Sequence, residues 1–213
     1  MEGLNVVVFR WGNKYGSEYV ERLKAGFRRH LQQEFKFCVM APEAEDEYLT
    51  EIPGCFCRLR MWDPVWQEKH GLSGRIVCVD LDVVITGPLD DLFNRPEEFV
   101  ILQGANSANP CPYNGSLMML RAGTRPDVWH DFSLEAAKKA PYYEFPDDQG
   151  WLWHKIPDAA GWKAGAESGV YAFQKRAWPK GTDLPKDAKM VVFPGWRDPS
   201  KFTHLPWIRE NWR

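Results

Sequence analysis

Arg75-Ile76-Val77-Cys78-Val79-Asp80-Leu81-Asp82-Val83-Val84-Ile85-Thr86 is the stretch that decides how this chain is read. After its first residue the run is apolar up to Val79, the pattern of a strand buried on both faces of a parallel sheet. It ends in two carboxylates two residues apart. In extended chain, positions i and i+2 share a face, so Asp80 and Asp82 are expected to converge on one point. They fall at the carboxyl end of a central strand, where open α/β sheets place their ligands. Two like charges there repel, so either one pKa rises or a cation is required. A hard divalent ion held by one or two carboxylates and by substrate phosphates answers that need. The plainer alternative is a pair of acids at a solvated strand end, against which the apolar residues on both sides argue.

Working outward, the pattern alternates between strand and helix. Leu4–Phe9 reads as a first strand. Ser17 is expected to cap a helix running to about Gln32, with Glu18 and Glu21 in its first turn and Val20, Leu23, Phe27 and Leu31 along one face. Phe35–Met40 is a second strand, 41–57 a loop rich in acids, Pro and Gly, and Trp62–His70 a short helix. Further strands are expected at Val83–Thr86, Phe99–Gln103, Ser116–Arg121, Val170–Phe173 and Met190–Phe193. Helices are expected at about Pro126–Lys139 and Asp147–Lys155, and an irregular tail after Phe193. This order points to one α/β domain, an α/β/α sandwich around a mostly parallel sheet.

Composition narrows the function classes. The 213 residues are 44% hydrophobic and 26% charged, which excludes a disordered chain. No apolar run approaches the roughly 20 residues that span a bilayer. The start shows no basic segment leading into a long apolar one, and the five cysteines lack zinc-type pairing. A reduced, cytoplasmic protein is therefore expected. Residues 1–106 carry 12 basic and 17 acidic side chains, and 107–213 carry 15 and 12, so the second half suits an anionic ligand. An uneven solvated surface would look the same. Most of the eleven tryptophans also lie in the second half, as sugar- or base-stacking rings or as core.

The Asp80–Asp82 segment with Gly87-Pro88-Leu89-Asp90-Asp91-Leu92-Phe93 resembles the metal-binding Asp-x-Asp segment of glycosyltransferases with the GT-A fold. The resemblance is nearest to the group of glycogenin and the bacterial lipopolysaccharide galactosyltransferases. It continues in order along the chain. Trp11-Gly12-Asn13-Lys14-Tyr15 looks like the first nucleotide-binding loop, Tyr113-Asn114-Gly115-Ser116 like the sugar-recognition strand, Asp147-Asp148-Gln149 like the acid–Gln segment, and Phe193-Pro194-Gly195 like the closing segment.

The resemblance implies transfer of a sugar from a nucleotide diphosphate donor, in particular a UDP-sugar, to a hydroxyl of a glycan or of a modified DNA base, with Mn2+ or Mg2+. It implies a nucleotide-binding half, 1–106, and a sugar- and acceptor-binding half, 107–213. Asp80 and Asp82 would hold the metal, Asp148 and Gln149 would serve the reacting sugar, and Trp11, Gly12, Tyr15, Asp80, Asn114, Ser116 and Gly195 would line the donor site. Trp11 and Tyr15 could equally pack on the first helix, Asn114 and Ser116 form a turn, and Asp147 and Asp148 cap a helix. The family's closing His is replaced by Pro194, which cannot ligate. Arg197 and Lys201 are expected to meet the diphosphate instead, and His204 is a candidate third ligand if the tail folds back.

Two other readings remain at this point. A hydrophobic strand ending in Asp80-x-Asp82 also resembles the nucleophile strand of haloacid-dehalogenase-like phosphohydrolases. A non-catalytic sugar-nucleotide-binding protein would share the site and lack turnover.

Overall fold

A computed structural model describes residues 3–41, 52, 54–105, 109–144 and 147–213. Most of the expected 41–57 loop lies outside the described residues. Its end runs into a 3-10 helical stretch, Gly54–Trp62.

The large sheet is made of β1 (Leu4–Phe9), β2 (Phe35–Met40), β3 (Arg75–Val79), β5 (Phe99–Gln103), β6 (Tyr113–Arg121) and β7 (Ala160–Lys163), in the order β2-β1-β3-β6-β5-β7. Three of its pairings are parallel; β6 runs antiparallel to both neighbours. A second sheet, β4-β9-β8, is built from β4 (Val84–Ile85), β8 (Val170–Ala172) and β9 (Met190–Val192). The mostly parallel α/β architecture is as expected. Placing Val84–Ile85 in a separate sheet is not, because a two-residue strand carries no pairing information of its own.

Side-chain alternation divides the interior into two cores. Val6, Val8, Val77, Val79, Leu117 and Met119 face one, while Val7, Phe9, Ile76, Cys78, Met118 and Leu120 face the other. The first is covered by α1 (Ser17–His30), the small sheet and the tail. The second is covered by the 3-10 stretch, α2 (Pro64–Lys69), α4 (Asp127–His130), α5 (Leu134–Ala137) and α6 (Asp148–Lys155). A short α3 (Asp90–Phe93) completes the first side.

Helix α1 buries Val20, Leu23 and Phe27, and its last turn carries Arg28, Arg29 and His30, which suits the helix dipole. Its cap is Gly16 rather than Ser17, with no side-chain hydrogen bond at the cap. Gly26 lets it approach β4: a Cβ there would lie 3.2 Å from Ile85 Cδ1.

Three further expectations are corrected. The Pro126–Lys139 helix is two helices, because Ser133 turns to extended backbone and its side chain caps α5 by accepting from Ala136 N at 3.0 Å. The Gly-containing β7 was missed. The tail is ordered: Asp198 caps a 3-10 turn, Pro199–Phe202, and α7 (Pro206–Asn211) comes next. Asp198 also accepts from Tyr19 Oη at 2.8 Å, and Trp212 packs edge-on against Tyr19 at 5.1 Å, so the tail is tied to α1.

A candidate active site at the seam between two sheets

The ladder carries β3 to Val79, paired with Leu117, and Asp80 N adds one more bond, to Ser116 O at 3.1 Å. There the chain leaves the large sheet. Leu81 and Asp82 form a turn, and two residues later β4 begins the small sheet. Asp80 and Asp82 therefore meet through a turn rather than along an extended strand. β8 and β9 run parallel and end at the same seam. Between the two sheets lies a cavity of about 610 Å³. Asp80, Leu81, Asp82, Asn114, Gly115 and Ser116 line it from the large sheet, Lys175, Phe193, Pro194 and Gly195 from the small one, and Asp147 and Gln149 from the start of α6. Phe9, Trp11, Lys14, Tyr15, Cys55, Arg58 and Asn109 complete the wall.

Arg58 organises the acidic side. Its guanidinium is buried and donates to Asp80 Oδ1 at 2.7 Å, to Gly115 O at 2.8 Å and to Asp148 Oδ1 at 2.8 Å. Burial opposes its charge, but Asp148 and then other nearby groups, Asp80 among them, outweigh that and hold the group firmly protonated. Gly115 is required beneath it, because a Cβ there would stand 2.4 Å from Nη2. The same place breaks the β5–β6 register: Ile101 pairs with Met118, but Leu102 pairs with Asn114. Asn114 Oδ1 accepts from Ser116 N at 3.0 Å, so Asn114 shapes this bulge as well as lining the cavity.

Asp82 is buried and held by Tyr15, whose hydroxyl donates to Oδ2 at 2.5 Å, with Lys14 Nζ 3.9 Å away. Burial, and then the charge of Asp80, raise its pKa to about 7. Tyr15 is pushed upward too, by burial first and by Asp82 next. Tyr15 also packs on Tyr19, ring centres 4.8 Å apart, so it serves both α1 and the cavity.

Asp147 caps α6, accepting from Gln149 N at 3.0 Å, and the Gln149 amide donates to its other oxygen. Asp148 is placed differently from the expectation. It is fully buried behind Arg58, outside the cavity lining, and burial lifts its pKa to about 6 despite the guanidinium. Helical geometry explains this: with Asp147 turned to the cavity as the cap, the next residue points into the core. Asp147 and Gln149 are the pair that faces the cavity.

The closing segment also departs from expectation. Gly195 lines the cavity; Arg197, Lys201 and His204 do not. The Arg197 guanidinium lies 5.1 Å from the Trp196 ring centre, and Lys201 Nζ donates to Trp196 O at 2.9 Å. His204 is exposed, because Phe202 turns inward against Phe173 and Phe193 and leaves its neighbours on the outside. Among the described residues no three His, Cys, Asp or Glu side chains converge as a metal-ligand group. The structure therefore does not bring His204 to the cavity that Asp80 and Asp82 line. Gly12, at φ +66, shapes the first loop without lining the cavity.

Arg58, Lys175, Asn109 and Cys55 line the cavity without having been singled out in the sequence, and Lys14 lines it from within the expected first loop. Arg58 sits just past the stretch read as loop, and nothing local marks it. The donor set nevertheless fits a hard dication. Asp80 and Asp82 both offer carboxylate oxygens to one cavity, the hard donors that such an ion takes.

No family model and no curated protein matches this chain. Solved structures do. A glycosyltransferase involved in glycosylation of the major capsid of PBCV-1 superposes with a TM-score of 0.61 at 14% identity, over 95% of this chain and 98% of that one. The apo glycosyltransferase GlyE of Streptococcus pneumoniae TIGR4 gives 0.62 at 15% identity, with 98% of this chain covering 63% of that protein. The galactosyltransferase LgtC, solved with donor and acceptor sugar analogues, gives 0.55 at 12% identity over 97% and 96%. Strand order, the antiparallel β6 and these superpositions agree: the chain has the GT-A fold that these glycosyltransferases share.

Proposed function

We propose that this protein is a metal-assisted glycosyltransferase that moves a sugar from a nucleotide diphosphate donor, a UDP-sugar in the first instance, to a carbohydrate hydroxyl. The observation that carries this is the convergence of Asp80, Asp82, Asn114, Ser116, Asp147 and Gln149 on one cavity at the strand ends of a GT-A fold. Residues 1–106 would supply most of the nucleotide site and 107–213 most of the sugar site.

Asp80 and Asp82 would hold Mn2+ or Mg2+, and that ion would neutralise charge on the departing diphosphate. Arg58 keeps Asp80 fixed, and Tyr15 keeps Asp82 turned to the cavity, so neither carboxylate has to reorganise as the donor arrives. The sugar gains positive charge as its bond to phosphate stretches. Asp147 and Gln149, tied to each other and to the start of α6, face the cavity with a carboxylate and an amide suited to orient sugar hydroxyls and offset that charge. Asp148 then acts through Arg58, as a positioning residue. At the rim, Trp196 comes directly after Gly195 with 67% of its surface exposed and offers a ring face to the acceptor sugar.

A cytoplasmic location is part of the proposal. All five cysteines are free thiols. Among the described residues no helix is long and apolar enough to cross a membrane. The phosphohydrolase reading is weakened by the sheet order and by the superposition on solved glycosyltransferases. The non-catalytic reading is met by the same assay as the main one. Incubation with a panel of nucleotide-sugars, with Mn2+ and with or without glycan or hydroxymethylated DNA acceptors, should release nucleotide from one donor and add one sugar mass to an acceptor. The Asp82→Ala protein should do neither. A folded wild-type protein that binds a donor but neither hydrolyses nor transfers it would leave the binding-protein reading standing instead.

A further inference from the structure

A nucleoside diphosphate entering this cavity brings its negative charge to Asp80, Asp82 and Asp147, so tight binding needs a fixed cation on another wall. Arg197 and Lys201 do not provide it, since neither lines the cavity. Pro194 provides neither a charge nor a ligand.

The path of the chain after β8 brings another cation in. Phe173 N donates to Val192 O at 2.9 Å, which keeps β8 and β9 side by side up to the seam. The chain then turns back: Lys175 N donates to Ala172 O at 3.1 Å, and Gln174 takes a left-handed conformation at φ +53. This turn places Lys175 on the wall formed by Phe193, Pro194 and Gly195. Burial, then the charge of Arg197, push the Lys175 ammonium below its ordinary pKa. Lys175 thus lines the cavity itself, with Arg197 close enough to act on its charge from outside the lining.

We propose that Lys175 binds the diphosphate of the donor, filling on the small-sheet wall the role that the closing segment does not. This deepens the glycosyltransferase reading and rests on it. An ammonium on a flexible stem suits a phosphate oxygen that shifts as the bond to the sugar breaks. Because this charge belongs to the chain, part of the diphosphate affinity should persist without any added metal.

The test is isothermal titration of the 213-residue protein with UDP, GDP, ADP and the matching nucleosides, in Mn2+ and in EDTA, for wild type, Lys175→Gln and Lys175→Arg. Lys175 is half-buried on its turn, and thermal melting will verify that the variants fold. The expected result is that Lys175→Gln loses about tenfold in affinity for the preferred diphosphate in EDTA. The parent nucleoside should bind as before, and Lys175→Arg should recover most of the loss. Equal diphosphate affinity in wild type and Lys175→Gln, or a loss shared equally by the nucleoside, overturns the inference and leaves the glycosyltransferase reading intact. Wild-type protein that binds none of the diphosphates, with Mn2+ or without, overturns both.

Discussion

The two main walls of the cavity are built in opposite ways. On the large-sheet side, strands of five and nine residues in continuous register set the positions of Asp80 and Ser116, and Arg58 ties Asp80 to Gly115 from behind. On the small-sheet side, strands of two and three residues do little more than hold the chain in place. Turns then deliver Lys175, Pro194 and Gly195. Asp80 sits where a ladder puts it, with Asp82 on the turn that follows, and the cation sits where a turn beyond a three-residue strand puts it. A site that must hold a dication rigidly and also let a charged product leave has reason to be asymmetric in this way.

If Arg58 is what makes the large-sheet wall rigid, removing it should cost more than any other single change. Arg58→Leu leaves Asp148 buried without a counter-charge and frees Asp80, and breaking a buried pair from one side costs about 3–5 kcal/mol. Urea unfolding will read this as a large fall in midpoint. Replacing Asp148 as well, in Arg58→Met/Asp148→Leu, should restore much of the loss, since apolar residues of similar volume fill such sites without penalty. A single variant within about 1 kcal/mol of wild type would show that Arg58 does not tie this wall together.

Asp82→Asn should fold and lose about 10²–10³ in donor turnover, the scale seen when one preorganised electrostatic group is removed. The kinetic split is informative. A fall in kcat with little change in donor KM places Asp82 on the charge that develops during reaction. A rise in KM alone would make it a binding residue only.

The acidic wall should also mark the pH dependence of stability. Asp148 and Asp82 have folded-state pKa values raised to about 6 and about 7, above the 3.8 of the free side chain. The folded protein therefore holds these protons when the unfolded chain has lost them, so metal-free stability should fall as pH rises from about 4 to about 7. Asp148 alone accounts for at most about 3 kcal/mol, at roughly 1.4 kcal/mol per pKa unit. Chemical denaturation across that range should give a shallower slope for Asp148→Asn. A slope of the opposite sign would mean that Arg58 outweighs burial.

The same asymmetry explains why one wall was legible in the sequence and the other was not. Ile76–Val79 with Asp80 and Asp82 states its own burial and its own end, and the ladder turns that local pattern into position. Asp147 as a cap and Gln149 two residues on are equally local. Arg58 is 22 residues from Asp80 and 90 from Asp148, so its role exists only in the folded chain. Lys175 was hidden because a single lysine beyond a three-residue strand looks like any surface lysine. That His204, Arg197 and Lys201 lie off the cavity lining was hidden for a related reason. Their positions depend on Phe202 and Asp198, which anchor the tail to the core and leave Arg197, Lys201 and His204 outside the cavity lining.

That arrangement leaves Trp196 as the sharpest remaining probe of the small-sheet wall. Of the eleven tryptophans it is the exposed one among the large hydrophobics, with Arg197 and Lys201 lying 5.1 and 5.8 Å from its ring. An exposed ring contributes little to the fold, so Trp196→Ala should melt within about a degree or two of wild type. If the ring receives the acceptor, transfer should show an acceptor KM raised by up to about tenfold, within the roughly 1–3 kcal/mol range of a single stacking contact, while donor KM holds. Trp196→Phe should retain much of the affinity, because the stacking face survives. Lys201→Gln should change it less again, since its ammonium already donates to the Trp196 carbonyl and lies outside the cavity lining. Donor and acceptor KM rising together would instead place Trp196 in the diphosphate wall with Lys175, and the two small-sheet contacts would then be one site.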